Sequence, residues 1–232
     1  VSNIFITGGT GYLGRHLIPE LLSRGHQVRA LVRAGSEGKL ASGCIPVPGN
    51  ALQAESYAPN VRPSDTLVQL VGVPKPSPRK AQQFRDIDYK SGMAAVAAAG
   101  RAGVRHLVYV SVAHPAPVMQ AYIQPRVDVE EAIRGSGLNA TILRPWYVLG
   151  PGHRWPYLTL PGYWIMGLIP SKRDSAERLG LVTLRQMTAA LVHAIEHPPQ
   201  GVVIVEVPEI RRQHLSTIVR PPHPQTEEPL IQ

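Results

Sequence analysis

Three glycines at three-residue intervals, Gly8, Gly11 and Gly14, stand between an apolar run, Asn3–Thr7, and a helical pattern that follows directly. No other feature restricts the fold as much. In such a spacing the first glycine lets the chain turn tightly. The second lets the backbone approach a ligand, and the third lets helix and strand pack closely. The start of the helix adds unpaired N–H groups and the positive end of a dipole. The stretch Thr7–Gly14, with Tyr12 and Leu13 inside it, therefore reads as a cradle for the diphosphate of a dinucleotide.

The rest of the chain repeats strand and helix in alternation. Tyr12–Ser23 carries Leu13, Leu17, Leu21 and Leu22 at helical spacing. Strands follow at Val28–Val32, Cys44–Val47 and Thr66–Val71, then a long alanine-rich helix at Ala81–Ala102 closed by Gly103. His106–Ser111 is a fifth strand, Arg126–Arg134 a helix and Asn139–Leu143 a sixth strand. Strands alternating with helices mean an α/β fold: a doubly wound parallel sheet, with ligands at the carboxyl ends of its strands. Those ends carry Gly8–Gly14, Arg33–Ser36, Val71, Gly72 and Val73, Ser111–His114, and Arg144–His153.

Residues 1–145 are thus expected to form the dinucleotide-binding core. Residues 146–180 are dense in Trp, Tyr, Pro and Gly without a period, and read as an irregular cap. Within 146–212 a helix at Thr183–Glu196, opened by the capping box Thr183-Leu-Arg-Gln186, and a strand at Gly201–Val207 return to the core. Residues 213–232 are a polar, Pro-rich tail.

Composition narrows the function classes. The chain has 232 residues, 44% of them hydrophobic, and a net charge of +8. It has a single cysteine, Cys44, so no internal disulfide forms. With no segment resembling a signal peptide, a reducing, cytoplasmic setting is expected. The longest apolar stretch, Tyr157–Ile169, contains Pro161 and is too short to span a bilayer. Basic residues are scattered apart from Lys75–Lys80, where Pro74, Pro76 and Pro78 impose an extended path. Nucleic acid is therefore not an expected partner. No residues have metal-ligand spacing, and no G-x-S-x-G elbow occurs. Self-association into a homo-oligomer is left open.

The end of the second strand refines the cofactor. An NAD site commonly places an acid there to hold the ribose hydroxyls. Here Ala30-Leu-Val-Arg33-Ala-Gly-Ser36 offers none, and Arg33 and Ser36 suit a 2′-phosphate instead. NADP is the expected cofactor, with NAD the alternative.

Thr7-Gly-Gly-Thr-Gly-Tyr-Leu-Gly14 with Val28-Arg-Ala-Leu-Val-Arg33 resembles the short-chain dehydrogenase/reductase superfamily, in its extended and atypical branches (NmrA-like and epimerase-like proteins). Asp88-Tyr-Lys-Ser-Gly92, His106-Leu-Val-Tyr-Val-Ser111 and Ala140-Thr-Ile-Leu-Arg-Pro145 with Val148-Leu-Gly-Pro-Gly152 agree in order. The resemblance implies an NAD(P)-binding Rossmann fold, with Pro145 and Val148 on the nicotinamide side. It also implies a tyrosine acid/base, a lysine four residues on, and a serine on the substrate oxygen. Tyr122 matches the tyrosine. Arg126 stands where the lysine belongs and could hold the ribose. The serine position is Val112, with Ser111 one place early.

Pro125 disfavours helix at Gln124. The helix is therefore expected to start at Pro125, leaving Tyr122 before it. His114 is a further proton-donor candidate. His153 and Trp155 are candidate substrate contacts. The leading expectation is an NADP-dependent oxidoreductase acting on an apolar or planar carbonyl or quinone. A non-catalytic dinucleotide-binding sensor or assembly protein, and a sugar-nucleotide epimerase or dehydratase, are the alternatives.

Overall fold

In the computed structural model, residues 1–74, 76–116, 118–151 and 179–218 are described, those at 214–218 without their side chains. A seven-stranded parallel sheet forms the centre: β1 (Asn3–Thr7), β2 (Gln27–Val32), β3 (Ile45–Pro48), β4 (Thr66–Gln69), β5 (His106–Val110), β6 (Ala140–Arg144) and β9 (Val202–Glu206). Their spatial order is β3-β2-β1-β4-β5-β6-β9. β1 pairs with both β2 and β4, Ile6 lying opposite Ala30 and Val68. The chain thus winds outward on one side of β1 and resumes on the other. That reversal opens a crevice at the carboxyl ends of the two central strands. A short parallel pair, β7 (Tyr147–Leu149) and β8 (Leu181–Thr183), stands apart from the main sheet.

Helices cover both faces because both faces of each central strand are apolar. Ile4 and Ile6 point to one side and Phe5 to the other, all without exposure. On the Ile4 side lie α1 (Gly14–Ser23), α6 (Leu184–Glu196) and α7 (Val207–Ile218), which contribute Leu17, Ile18 and Leu21, Met187, Leu191 and Ile195, and Val207 and Ile210. On the Phe5 side lie the short α2 (Ala58–Val61), then α4 (Lys90–Ala102) and α5 (Gln120–Gly135). The alanines of α4, from Ala94 to Ala102, let that helix sit close to the sheet. A fully buried Leu or Ile contributes about 1.5–3 kcal/mol, so this packing, more than helix propensity, holds the layers.

Three elements depart from the expectations. The long helix is not uniform: α3 (Ala81–Gln83) passes into a widened π-helical turn at Phe84–Tyr89 before α4. This turn puts Phe84 and Asp88 inside the protein. Next, α5 starts at Gln120, with Pro125 in its interior, so Tyr122 is helical after all. The ring of Pro125 removes one backbone hydrogen bond. Burial of Ile123, Pro125 and Arg126 on the same helix outweighs that local cost. Finally, α7 extends to Ile218, across the point where a loose tail was expected. The capping box at the start of α6 forms as read, with Thr183 and Gln186 exchanging hydrogen bonds of 3.2 and 2.8 Å.

Candidate functional site: a glycine cradle and a charged helix stripe

The glycine loop gives each glycine a separate job. Gly8 has φ +78°, and a Cβ there would stand 2.9 Å from the backbone of Leu70 and Val71. A Cβ on Gly14 would stand 2.5 and 2.6 Å from the carbonyl oxygens of Gly9 and Gly8, so the start of α1 packs directly on the turn. Gly11 donates its N–H to the Gly8 carbonyl at 2.9 Å. A Cβ on Gly11 would meet that oxygen alone, at 3.1 Å, and otherwise open space.

That open space is a cavity of about 360 Å³ at the β1–β4 reversal. Gly8, Gly11, Arg33, Ser36, Val71 and Gly72 line it, with Asn50 and Leu52 from the loop after β3. Among the described residues its lining carries no carboxylate. Glu37, the nearest acid in sequence, accepts the Gly35 N–H at 3.2 Å instead. A glycine turn that opens onto a cleft, with an arginine in its lining, fits a dinucleotide.

Other residues proposed for this cleft sit behind it. Thr7 bonds through its hydroxyl to Gln69, which continues to Ser91 at 2.9 Å. Leu13 and Val148 pack against the core on the α1 face. The Tyr12 hydroxyl occupies the place a Cβ on Gly150 would take. Val73 turns its N–H toward Asp88.

The second half of the site is one stripe of α5. Tyr122, Arg126 and Glu130 follow one another a helical turn apart and share a face. The Arg126 guanidinium lies over the Tyr122 ring, 4.0 Å from its centroid. Phe84 meets the same ring edge-on at 4.9 Å. Burial pushes the Tyr122 phenol above its ordinary value, while the charge of Arg126 acts the other way. Arg126 is itself buried and ion-paired with Asp88 from the π-helical turn.

One turn further, Glu130 has no exposure and gathers donors from three elements. Ser111 donates its hydroxyl at 2.6 Å, and Arg144 donates Nε at 3.0 Å together with an Nη2 contact. Arg134 reaches Glu130 at 3.0 Å, and His114 Nε2 lies 3.3 Å away. Burial alone would raise the Glu130 carboxyl. The bonds from His114, Arg144 and Ser111 hold it down, at about 2. Arg144 also pairs with Glu206 at 2.9 Å. The Pro145 carbonyl accepts the Ala113 N–H at 3.0 Å, which fastens the β5 exit to the β6 exit.

The fold therefore brings Arg33, Ser36, Gly8, Gly11, Val71 and Gly72 around one cavity, and stacks Tyr122 with Arg126. It sets Ser111 and His114 on Glu130. His153 and Trp155 lie outside the described residues. Sequence reading gave Glu130, Asn50 and Leu52 no place in the site, and named Asp88 and Arg144 only within longer stretches. For Glu130 a signal existed: it continues the four-residue spacing of Tyr122 and Arg126, once α5 is allowed to run through Pro125. Among the described residues no group of His, Cys, Asp and Glu is placed to hold a metal, and no helix is long and apolar enough to cross a membrane.

A parallel sheet that reverses at β1, with a glycine loop and an open cleft at the reversal, defines a dinucleotide-binding protein of the doubly wound type. The chain belongs to the NAD(P)H-binding family, matched over residues 8–155. Among curated proteins it is similar to a ceramide reductase of Caulobacter vibrioides, 27% identical over 219 residues, covering 90% of this chain and 65% of that protein. It is also similar to the 4-hydroxy-2-methyl-3-oxo-4-farnesyl-3,4-dihydroquinoline-1-oxide ketoreductase of Stigmatella aurantiaca, 27% identical over 168 residues, 63% of this chain and 50% of that one. The chain thus spans between half and two-thirds of the length of these relatives. Among solved structures, the Bordetella bronchiseptica enzyme WbmH in complex with NAD+ shares the fold, with a TM-score of 0.66 at 19% identity, over 98% of this chain and 84% of that one. These findings bear out the resemblance to extended short-chain dehydrogenases/reductases and a nicotinamide dinucleotide as cofactor.

Proposed function

We propose that the protein is an NADP-dependent oxidoreductase of the atypical short-chain dehydrogenase/reductase type, reducing an apolar or planar carbonyl or quinone-like substrate. The observation that carries this reading is the stack of Arg126 on Tyr122, directly behind the Val71–Gly72 loop that lines the cofactor cavity. The glycine loop holds the diphosphate, and Arg33 with Ser36 receives the 2′-phosphate. When bound, NADPH supplies a hydride. Tyr122 gives the proton to the substrate oxygen, and the Arg126 charge lowers the cost of the phenolate left behind. Ser111 and His114, held on Glu130, shape the neighbouring wall. Pro145, directly after β6, borders the nicotinamide side. The names of the two relatives support a reductive direction and an apolar substrate.

A second reading has its own observation. Ser111 is engaged by Glu130, and Arg126 by Asp88. Both groups therefore serve the fold, as a non-catalytic NAD(P)-binding protein would allow. NADPH oxidation with a panel of quinones and hydrophobic ketones separates the two. Tyr122→Phe should lower turnover by roughly 10²–10⁴ and leave NADPH affinity nearly intact. Full activity in that variant removes Tyr122 from the chemistry. Tight NADPH binding with no turnover of any substrate favours the second reading.

A further inference from the structure

The loop leaving β4 faces two ways. On one side Val71 and Gly72 line the cofactor cavity. On the other, the same backbone rests on a buried ion pair. A Cβ on Gly72 would stand 2.9 Å from Arg126 Nη2 and 3.1 Å from Asp88 Oδ1. Val73, the next residue, donates its N–H to the two Asp88 oxygens at 3.3 and 3.2 Å. Asp88 is 2% exposed and Arg126 6%. Burying two charges carries a heavy desolvation cost, and removing one partner leaves the other uncompensated. The guanidinium is held on two sides, by Asp88 and by the Tyr122 ring. Three elements meet at Gly72 with no room between them: the β4 exit, the π-helical turn and α5. Such π-helical turns recur at functional sites.

We propose that Asp88 is a positioning residue that couples the cofactor cleft to the Arg126–Tyr122 stack, with Gly72 as the contact between them. This rests on the cavity being the NADP(H) site. Asp88 does not line that cavity, yet it holds the backbone that does. The position of the loop and the position of the guanidinium are then one variable. A ligand that presses on Val71 and Gly72 shifts Arg126, and by linkage the placement of Arg126 alters affinity for that ligand.

The test is a double-mutant cycle read by NADPH fluorescence titration. Gly72→Ala points a methyl at the ion pair, forces the loop toward the cavity and should weaken NADPH by roughly tenfold. In Gly72→Ala/Asp88→Ala the methyl enters the space the carboxylate vacates, and the alanine penalty should shrink to about threefold or less. Asp88→Ser, which is smaller than aspartate and still polar, replaces Asp88→Ala in the cycle if the latter does not fold. A second readout follows the Arg126 Nε resonance, assigned by its loss in Arg126→Lys. It should shift on addition of NADP+ in the wild type and stay put in Asp88→Asn. Additive penalties, or an Arg126 resonance indifferent to NADP+ in a wild type that binds it, overturn the coupling. A wild type that binds neither NADPH nor NADH instead removes the cofactor assignment of the cavity.

Discussion

At the β1–β2 end the cleft is walled by backbone and glycine; at the β5–β6 end the neighbouring wall is buried charge. The first region works by leaving side chains out. Gly8 and Gly14 leave room for neighbouring backbone, and Gly11 faces open space. The second works by bringing charges in. Glu130 joins Ser111, His114, Arg134 and Arg144, and Arg144 continues to Glu206. Crowding sets the tolerance of the first region and desolvation that of the second, so the two should fail differently.

The largest effect is expected from the charged end. Glu130→Ala leaves Arg144 buried without its partner and should cost about 3–5 kcal/mol of stability in urea unfolding. Because the Glu130 carboxyl is held at about 2 in the fold, against an ordinary value of about 4.3, the unfolded chain takes up the proton first. Its stabilisation is complete above that ordinary value and is lost as pH falls toward 2. Glu130→Gln should flatten stability over this range. An unaltered acid limb in that variant would show that the carboxylate does not hold this end together.

His106 sharpens the contrast, since it lies at the opposite end of the same strands. It is fully buried, with Nε2 2.9 Å from the Thr141 hydroxyl, and burial lowers its value to about 4. The fold therefore keeps the imidazole neutral. Stability should be full above the ordinary value of about 6.5 and decline by about 3 kcal/mol as pH falls to 4. This window lies above that of Glu130. His106→Gln should remove the decline while leaving the lower window in place, as followed by thermal unfolding across pH.

Effects at the glycine end should appear in binding before stability. On the NADP reading proposed above, Arg33→Glu sets a like charge against the 2′-phosphate and should weaken NADP(H) by about 1.5–3 kcal/mol while changing NAD(H) much less. Calorimetric titration with both cofactors measures this, and equal wild-type affinities would end the NADP reading. The smallest effect on stability separates two glycines of the loop. Gly14→Ala drives a methyl into backbone oxygens and should cost about 1–3 kcal/mol of stability. Gly11→Val should instead abolish NADPH fluorescence changes while melting close to the wild type. Should Gly11→Val unfold the protein as Gly14→Ala does, the loop has one structural role and not two.

The sequence alone determined what depends on neighbours along the chain. Alternating apolar runs placed the strands of the sheet. The glycine spacing marked the tight turn at the end of β1, and Thr183 with Gln186 marked the start of α6. Each of these signals lies within a few residues, where backbone sterics and local hydrogen bonds decide the outcome. Only the tertiary structure decided that α5 runs through Pro125, which set Tyr122 and Arg126 on one face. It alone revealed the π-helical turn that turns Asp88 inward, and Glu130 as the collector of Ser111, His114 and Arg144. These residues come from separate elements, and what unites them is burial: a charge shut away from water must find a partner wherever the fold brings one, and no local pattern in the chain records which partner that will be.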